Sequence, residues 1–139
     1  MNVKVNWLQK DFHMEAGNEE GGKIRIDGNT KIGGLDGGMS PMQLLLAGIG
    51  GCSAIDVISI LEKQKQNLTD LSVEVDSEKV KLKEGYSEFK KIHLHFELSG
   101  DLDVKKVERA LELSITKYCS VSKALEKGSE ISYDYSIEN

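Results

Sequence analysis

Apolar and polar residues alternate in three short stretches near the start of the chain. The alternation predicts strands at Val3–Trp7, Phe12–Ala16 and Ile24–Ile26, because a period of two places every second side chain on one face of a sheet. The segment from Asp27 to Ser40 then contains five glycines and predicts a flexible loop. No Gly-Lys-Ser or Gly-Lys-Thr follows these glycines, so they do not form a phosphate-binding loop.

After this loop apolar and polar residues no longer alternate, and an apolar helix is predicted from Pro41 to about Gln64. Its start is well marked. Ser40 is a candidate N-cap, Pro41 occupies the first helical position and Gln43 completes a capping box. Apolar residues lie on almost every side of this helix, which is typical of a buried one. The few short strands of one small chain supply little cover, so we expect a second copy of the chain and an obligate dimer.

The hydrophobic pattern of the second half of the chain predicts further strands and two more helices. Turns are expected at Glu84–Gly85 and at Ser99–Gly100. Asp101 or Asp103 is the expected N-cap of the following helix. The element order predicts an α+β fold, with antiparallel strands in meanders rather than βαβ crossovers, around a long central helix. The predicted elements are alternating strands over Leu71–Leu82 and Ile92–Leu98, a helix with an apolar stripe from Val104 to Tyr118, a short helix over Ser120–Lys127 and a strand over Ile131–Ile137.

Composition narrows the class of protein. The chain has 139 residues, of which 39% are hydrophobic and 29% charged, which is typical of a single soluble domain over residues 1–139. The net charge is −5 without a cluster of cations, which argues against a nucleic-acid partner. The first residues lack the apolar core of a signal peptide, and the uncharged stretch from Met39 to Ile55 is short and polar for a membrane span. We expect a cytoplasmic protein with no membrane partner.

Two cysteines are candidate reactive groups. Cys52 lies in the middle of the long helix, where a buried cysteine is commonly an inert small hydrophobe, although the preceding glycines allow close approach. Asp56, a carboxylate one turn later in a nearly apolar helix, also favours a reactive Cys52, although we expect Asp56 itself to be a buried hydrogen-bond acceptor or an edge residue. Cys119 precedes a short helix, whose N-terminus together with Lys123 would lower the pKa of the thiol. A plain capping role is the alternative for Cys119, and both cysteines are expected to be free in a reducing compartment.

Two histidines are the remaining candidates for metal binding. His93 and His95 project from the same face of a predicted strand and could bind a metal as a pair. No third His or Cys lies near them in the sequence, and alternating polar positions of this kind are usually the solvent face of a sheet. We therefore expect no metal site and no cofactor.

Three segments of the sequence resemble the OsmC/Ohr family of osmotically induced and organic-hydroperoxide-resistance proteins. They run from Ser40 to Leu46, from Gly50 to Cys52 and from Lys117 to Lys123. The resemblance implies an intertwined homodimer, in which strands of both chains wrap the two long helices and paired active sites lie at the interface. It also implies that Cys52 is the peroxidatic and Cys119 the resolving cysteine of a catalytic pair. The substrate would be a small peroxide and the reductant an external dithiol.

The sequence departs from the family at the positions of an Arg and a Glu. Well-studied hydroperoxide reductases of the family place an Arg and a Glu beside the reactive cysteine. Met42 and Gln43 occupy the positions that correspond to the Glu. Arg25 lies in the region that supplies the family Arg but aligns poorly with it, and Arg109 is expected on the solvent-facing side of the second helix.

Two hypotheses from different classes follow. The first is a cysteine-based peroxidase, or hydroperoxide reductase, that reduces organic or hydrogen peroxides in oxidative-stress defence. The second is a non-catalytic dimeric module that binds a small apolar ligand at its interface. The retained cysteine pair favours the enzyme, and the missing Arg–Glu pair favours the binding module.

Overall fold

The hydrophobic patterns along the sequence correspond to two three-stranded sheets and one long helix in the structure. The computed structural model describes residues 1–28 and 30–139 and separates into a first unit, residues 1–45, and a second unit, residues 46–139. The predicted α+β class is confirmed. The elements are β1 (Val3–Trp7), β2 (Met14–Asn18), β3 (Lys23–Ile26), a 3-10 turn (Thr30–Ile32), α1 (Pro41–Lys63), β4 (Asn67–Lys81), β5 (Ser87–Asp101), α2 (Val104–Leu113), a π-helical turn (Ser114–Tyr118), α3 (Ser120–Leu125) and β6 (Glu130–Glu138).

The first unit is an antiparallel sheet, in the order β1-β2-β3, followed by the glycine-rich loop. The described part of this loop is organised around one buried carboxylate. Asp27 accepts hydrogen bonds from the backbone N–H groups of Gly28 at 2.8 Å, Leu35 at 3.2 Å and Gly37 at 2.9 Å. These bonds, that from Gly37 above all, hold the pKa of Asp27 below its ordinary value. The segment predicted to be a flexible loop is thus anchored by its own backbone.

Helix α1 begins as its capping signals predict. The N–H of Ser40 donates to Oε1 of Gln43 at 2.9 Å, and the N–H of Gln43 donates to Oγ of Ser40 at 3.2 Å. This reciprocal pair satisfies two backbone donors that the first turn would otherwise leave free. The predicted capping box is therefore confirmed, and Gln43 has a complete structural role at this position.

In a single chain, helix α1 is buried along one face rather than on all sides. Ile49, Val57 and Leu61 are fully buried, whereas Ile55 and Ile58 are 69% and 47% exposed. Among the described residues, α1 is the one helix long and apolar enough to cross a membrane by length and composition. The core helix of a soluble protein has the same properties, so these do not make α1 a membrane span.

The sheet of the second unit has one parallel edge. Strands β4 and β5 pair antiparallel through a hairpin at Glu84–Gly85, where Gly85 has a φ of 104°, as predicted. Strands β5 and β6 pair parallel, so the prediction of antiparallel meanders throughout was wrong here. The helices between them carry the chain back across the sheet, and β6 enters from the same end as β5. The buried face of β5 consists of Phe89, Ile92, Leu94, Phe96 and Leu98.

The turn predicted at Ser99–Gly100 is also absent, because β5 continues through Asp101. Gly100 has a φ of 137°, and a Cβ there would collide with the carbonyl oxygen of Asn67 on β4. The paired strand has a register shift between Leu68 and Asp70. The glycine therefore marks a bulge with close backbone approach rather than a chain reversal.

Candidate functional site

Cys119 is positioned by a change of helix type. Helix α2 begins at the predicted N-cap Asp103, which accepts from the N–H of Lys106 at 3.1 Å. After Leu113 the backbone widens into the π-helical turn, in which the N–H of Cys119 donates to the carbonyl of Ser114 at 2.7 Å. Such π-helical segments are rare and frequently occur at functional sites. This one ends at Cys119, whose side chain is fully buried.

Two donors contact the sulfur of Cys119. The N–H of Ser122 donates to Sγ at 3.3 Å, because Cys119 is the N-cap of the short helix α3. The hydroxyl of Ser53, on α1, donates to the same Sγ at 3.4 Å. The capping role considered for Cys119 is therefore present, and the Ser53 contact ties the cysteine to the helix that carries Cys52.

A second buried hydroxyl joins the same two segments. Oγ of Ser114 lies 3.3 Å from the carbonyl oxygen of Ser53 and 3.2 Å from Oδ2 of Asp56. Its single hydrogen is shared between these two acceptors. Asp56 is a hydrogen-bond acceptor, as expected, although it is half-buried rather than buried.

The reactive atoms of Cys52, Asp56 and Cys119 converge. The two Sγ atoms and one carboxylate oxygen all lie within 4.8 Å of one another, and both cysteines are free thiols. Asp56 follows Cys52 by one helical turn, so their side chains share one face of α1. We refer to these three residues as the thiol cluster. It lies entirely within the second unit.

The two thiols differ in their surroundings. Cys119 is fully buried, whereas Cys52 is half-buried. The neighbouring glycines also differ. A Cβ at Gly50 would lie 3.0 Å from the side chain of Val75 on β4, whereas a Cβ at Gly51 would meet no atom within 4 Å. Gly50 thus allows close helix–strand packing, whereas Gly51 faces open space. Of the two sulfurs, that of Cys52 belongs to the less buried residue.

Burial raises the pKa of Cys119, and the neighbouring Cys52 raises it further. The hydrogen bonds from Ser53 and Ser122 act in the opposite direction and compensate only in part. The helix N-terminal N–H of Ser122 lowers this pKa, as expected from the sequence, but burial outweighs it, so the expected net lowering was wrong. Lys123 instead forms an ion pair with Glu126 at 3.2 Å. Cys119 therefore holds its proton more firmly than an ordinary thiol.

The arginines occupy the places that the sequence indicated. Arg25, in the first unit, donates from Nε to Glu15 at 3.2 Å and contacts His13 at 3.4 Å. Arg109 lies on the exposed side of α2, 3.8 Å from Glu112. The predicted solvent position of Arg109 is confirmed, and the Arg25–Glu15 pair is an acid–base pair that the sequence did not reveal.

The two histidines contact an aspartate that the sequence analysis did not identify. Nε2 of His93 and Nδ1 of His95 lie 2.9 and 2.7 Å from Oδ1 of Asp134 on β6. Hydrogen bonding to Asp134 raises the pKa of His95, and hydrogen bonding to His95 lowers that of Asp134. These residues form the histidine cluster, on the solvent-facing side of the sheet. Parallel pairing of β5 with β6 sets His95 opposite Asp134, which the predicted antiparallel arrangement did not foresee.

Among residues 1–28 and 30–139, the thiol cluster is the one group of three or more His, Cys, Asp or Glu side chains that places its ligand atoms within 4.8 Å. The sequence analysis identified Cys52 and Cys119 as candidate site residues and gave Asp56 the role of a hydrogen-bond acceptor or an edge residue. It missed the supporting hydroxyls of Ser53 and Ser114, although a polar residue within each apolar helix stripe was the available signal.

Comparison with known proteins bears on the family and the fold of this chain. The sequence profile of a family described as "OsmC-like protein" matches residues 34–134. Protein YhfA of Escherichia coli is 39% identical over 138 residues, which cover 99% of this chain and 98% of YhfA. The crystal structure of a hypothetical protein from Aquifex aeolicus is 26% identical with a TM-score of 0.80, over 99% of this chain and 97% of that one.

A crystal structure of an organic hydroperoxide resistance protein from Legionella pneumophila shares the fold. Its TM-score is 0.75 at 20% identity, over 97% of this chain and 95% of that one. The family profile and the full-length similarity to YhfA agree with the two sheets and the long helix described above. The chain belongs to the OsmC-like protein family.

Proposed function

We propose that this protein is a thiol-dependent peroxidase that reduces small organic or hydrogen peroxides through Cys52 and Cys119. The observation that carries the proposal is the thiol cluster, in which a half-buried and a fully buried sulfur lie within 4.8 Å of each other. Half-buried Cys52 is suited to meet the peroxide, and buried Cys119 is suited to resolve the product. The Legionella protein with the same fold is named for organic hydroperoxide resistance.

The reaction starts with the thiolate of Cys52. Its sulfur attacks one peroxide oxygen, the O–O bond breaks, and the other oxygen leaves as an alcohol or water after taking up a proton. Cys52 becomes a sulfenic acid. The Cys119 sulfur then attacks the Cys52 sulfur and displaces the hydroxyl as water, which forms a disulfide. An external dithiol returns two electrons, so each cycle converts one peroxide and one dithiol into one alcohol, one water and one oxidised dithiol.

The difference between the two thiols supports this division of roles. Since its raised pKa keeps Cys119 protonated, its S–H group can donate to a Cys52 thiolate. A lysine of a partner copy is a candidate cation that would stabilise that thiolate further. Met42 and Gln43 supply no carboxylate, so this proposal assigns no role to an Arg–Glu pair.

We also propose that the protein acts as a homodimer in the cytoplasm, where reductants keep its thiols free at rest. Support for the dimer comes from the apolar face of α1 that one chain leaves uncovered, with Ile55 69% exposed. Apolar residues concentrated on one helix face favour burial against another surface. Light scattering at low micromolar concentration should give about twice the mass of one chain, and a folded monomer would contradict the proposal.

The testing experiment is peroxide consumption in the presence of a dithiol. We expect steady turnover with the natural protein and with Ser120→Ala, a matched control whose exposed hydroxyl is adjacent to Cys119 in sequence. Cys52→Ser should remove consumption, and Cys119→Ser should consume about one peroxide per chain and then slow. If the natural protein consumes no peroxide, the non-catalytic module that binds a small apolar ligand becomes the better hypothesis.

A further inference from the structure

The thiol cluster gathers three groups that can each carry a negative charge. Within residues 46–139, no Lys, Arg or His forms an ion pair with the half-buried carboxylate of Asp56. The hydroxyl of Ser114 donates to this carboxylate, but a buried charge still costs free energy when no opposite charge lies nearby. A small cation between the two sulfurs and the carboxylate would compensate all three groups at once.

The spacing suits a tetrahedral metal ion. Zinc–sulfur bonds of about 2.3 Å and zinc–oxygen bonds of about 2.0–2.2 Å place tetrahedral ligand atoms about 3.5–3.8 Å apart. The three candidate ligand atoms already lie within 4.8 Å of one another. Side-chain rotations that bring these atoms about 1 Å closer together would give the tetrahedral spacing. The His–His–Asp set, by contrast, does not gather three ligand atoms within this distance.

The surrounding hydrogen bonds are those that hold metal ligands in place. The sulfur of Cys119 accepts from the N–H of Ser122 and from the hydroxyl of Ser53. The carboxylate of Asp56 accepts from the hydroxyl of Ser114 at 3.2 Å. Outer-sphere donors of this kind orient the ligands and stabilise negative charge on them.

We propose that the reduced protein binds one thiophilic divalent cation, of which Zn²⁺ is the type, through Cys52, Cys119 and Asp56. Two soft sulfur ligands favour Zn²⁺ over Mg²⁺ and Ca²⁺, which prefer oxygen. Three protein ligands leave a fourth position for water or another small ligand. Binding requires the two thiols to lose their protons, so affinity rises with pH.

One consequence rests on the proposed peroxidase activity, whereas the ion site itself does not. A bound cation and a Cys52–Cys119 disulfide exclude each other. Reaction of the zinc-bound dithiolate with one peroxide and two protons gives the disulfide, one alcohol, one water and free Zn²⁺. The two sulfurs each lose one electron, and the O–O bond accepts both. Oxidation would therefore release the ion, and the bound ion would shield the thiols.

The test is an anaerobic titration of the reduced full-length protein with Co²⁺, a spectroscopic substitute for Zn²⁺. We expect a sulfur-to-cobalt charge-transfer band that saturates at one ion per chain and disappears on addition of Zn²⁺. Cys52→Ser and Cys119→Ser should each lose the two-thiolate spectrum. Asp56→Asn, which keeps the size of the side chain, should weaken binding about tenfold or more.

Two controls separate this site from other candidates. Asp70→Asn changes an exposed carboxylate of the same unit, and His95→Ala removes a member of the histidine cluster. Both should bind Co²⁺ as the natural protein does. The proposal is overturned if the reduced protein gives no charge-transfer band, if Asp56→Asn binds with unchanged affinity, or if His95→Ala abolishes binding. Peroxide consumption is measured separately with a chelator present, so either proposal can fail without the other.

Discussion

The thiol cluster and the histidine cluster both bring ionisable side chains together, but in opposite surroundings. In the thiol cluster, fully buried Cys119 is held by buried hydroxyl and amide donors, and desolvation is the main cause of its raised pKa. In the histidine cluster the side chains of His93, His95 and Asp134 are 42%, 34% and 61% exposed, and hydrogen bonding is the main cause of the shifts. Charge pairs near water are weakened by solvent and salt. Burial, rather than the number of ionisable groups, therefore favours the thiol cluster over the histidine cluster as the candidate functional site.

The largest expected difference is in peroxide sensitivity. A substoichiometric peroxide pulse applied to Cys119→Ser should yield sulfenic acid at Cys52, because Cys52 is the less buried of the two cysteines. The same pulse applied to Cys52→Ser should modify Cys119 at least about tenfold less. Mass spectrometry after trapping of the sulfenic acid measures both. His95→Ala in the Cys119→Ser background is the matched control and should leave Cys52 oxidation unchanged.

Removal of a hydroxyl should lower the free energy of unfolding at the thiol cluster and leave it nearly unchanged at the histidine cluster. Ser114→Ala removes the donor to the Asp56 carboxylate from a fully buried position, which should lower the free energy of unfolding by about 1–3 kcal/mol. Ser132→Ala removes an exposed hydroxyl that contacts His93 and should change it by less than about 0.5 kcal/mol. Urea unfolding compares the two variants. Equal losses would contradict the contrast between the clusters.

A smaller change is expected from Ser53→Ala. Its hydroxyl donates to the sulfur of Cys119 and lowers the pKa of that thiol against the effect of burial. Without it, the pKa of Cys119 should rise further, and the alkylation rate of this thiol at neutral pH should fall by about two- to fivefold. The alkylation rate is followed as a function of pH by peptide mass spectrometry. A faster reaction of Cys119 would show that the hydroxyl acts through packing instead.

The smallest effect concerns the pH dependence of the histidine cluster. The pKa of His95 is raised, so its contribution to stability is complete below about pH 6.5, the ordinary histidine value, and is lost as pH rises through the raised pKa. The pKa of Asp134 is lowered, so its contribution is present above about pH 3.9 and is lost as pH falls through the lowered pKa. The stability difference between the natural protein and His95→Ala should therefore be largest near pH 5. It should shrink with added salt, and NMR titration should give His95 a pKa above its ordinary value.

Local signals in the sequence predicted much of this molecule. The capping box of Ser40 and Gln43, the N-cap Asp103 and the hairpin at Glu84–Gly85 each depend on residues close in sequence, and all three are confirmed. The two cysteines were also identified as candidates. The family resemblance implied that the two cysteines act as a pair. The position of Asp56 beside both sulfurs was not predicted, because it depends on how α1 packs against the π-helical turn.

What the sequence missed depends on long-range pairing. The direction of β6 is set by the path of the chain through α2 and α3. The periodic pattern of the sequence therefore could not predict the parallel pairing or the contacts of Asp134. Gly100 was mistaken for a turn, because the close approach of Asn67 that requires a glycine comes from another strand. The direction of the pKa shift of Cys119 was wrong for a similar reason. Its helix terminus is local, but the burial that dominates comes from tertiary packing.

The most direct test of the proposed function is the pairing of the two cysteines. After one equivalent of cumene hydroperoxide, non-reducing peptide mapping of the natural protein should find a Cys52–Cys119 disulfide within a single chain, reversed by a dithiol. Sulfur atoms within 4.8 Å allow this bond after a small movement. An exclusively interchain disulfide, or two free thiols while peroxide persists, would contradict the proposed roles of Cys52 and Cys119.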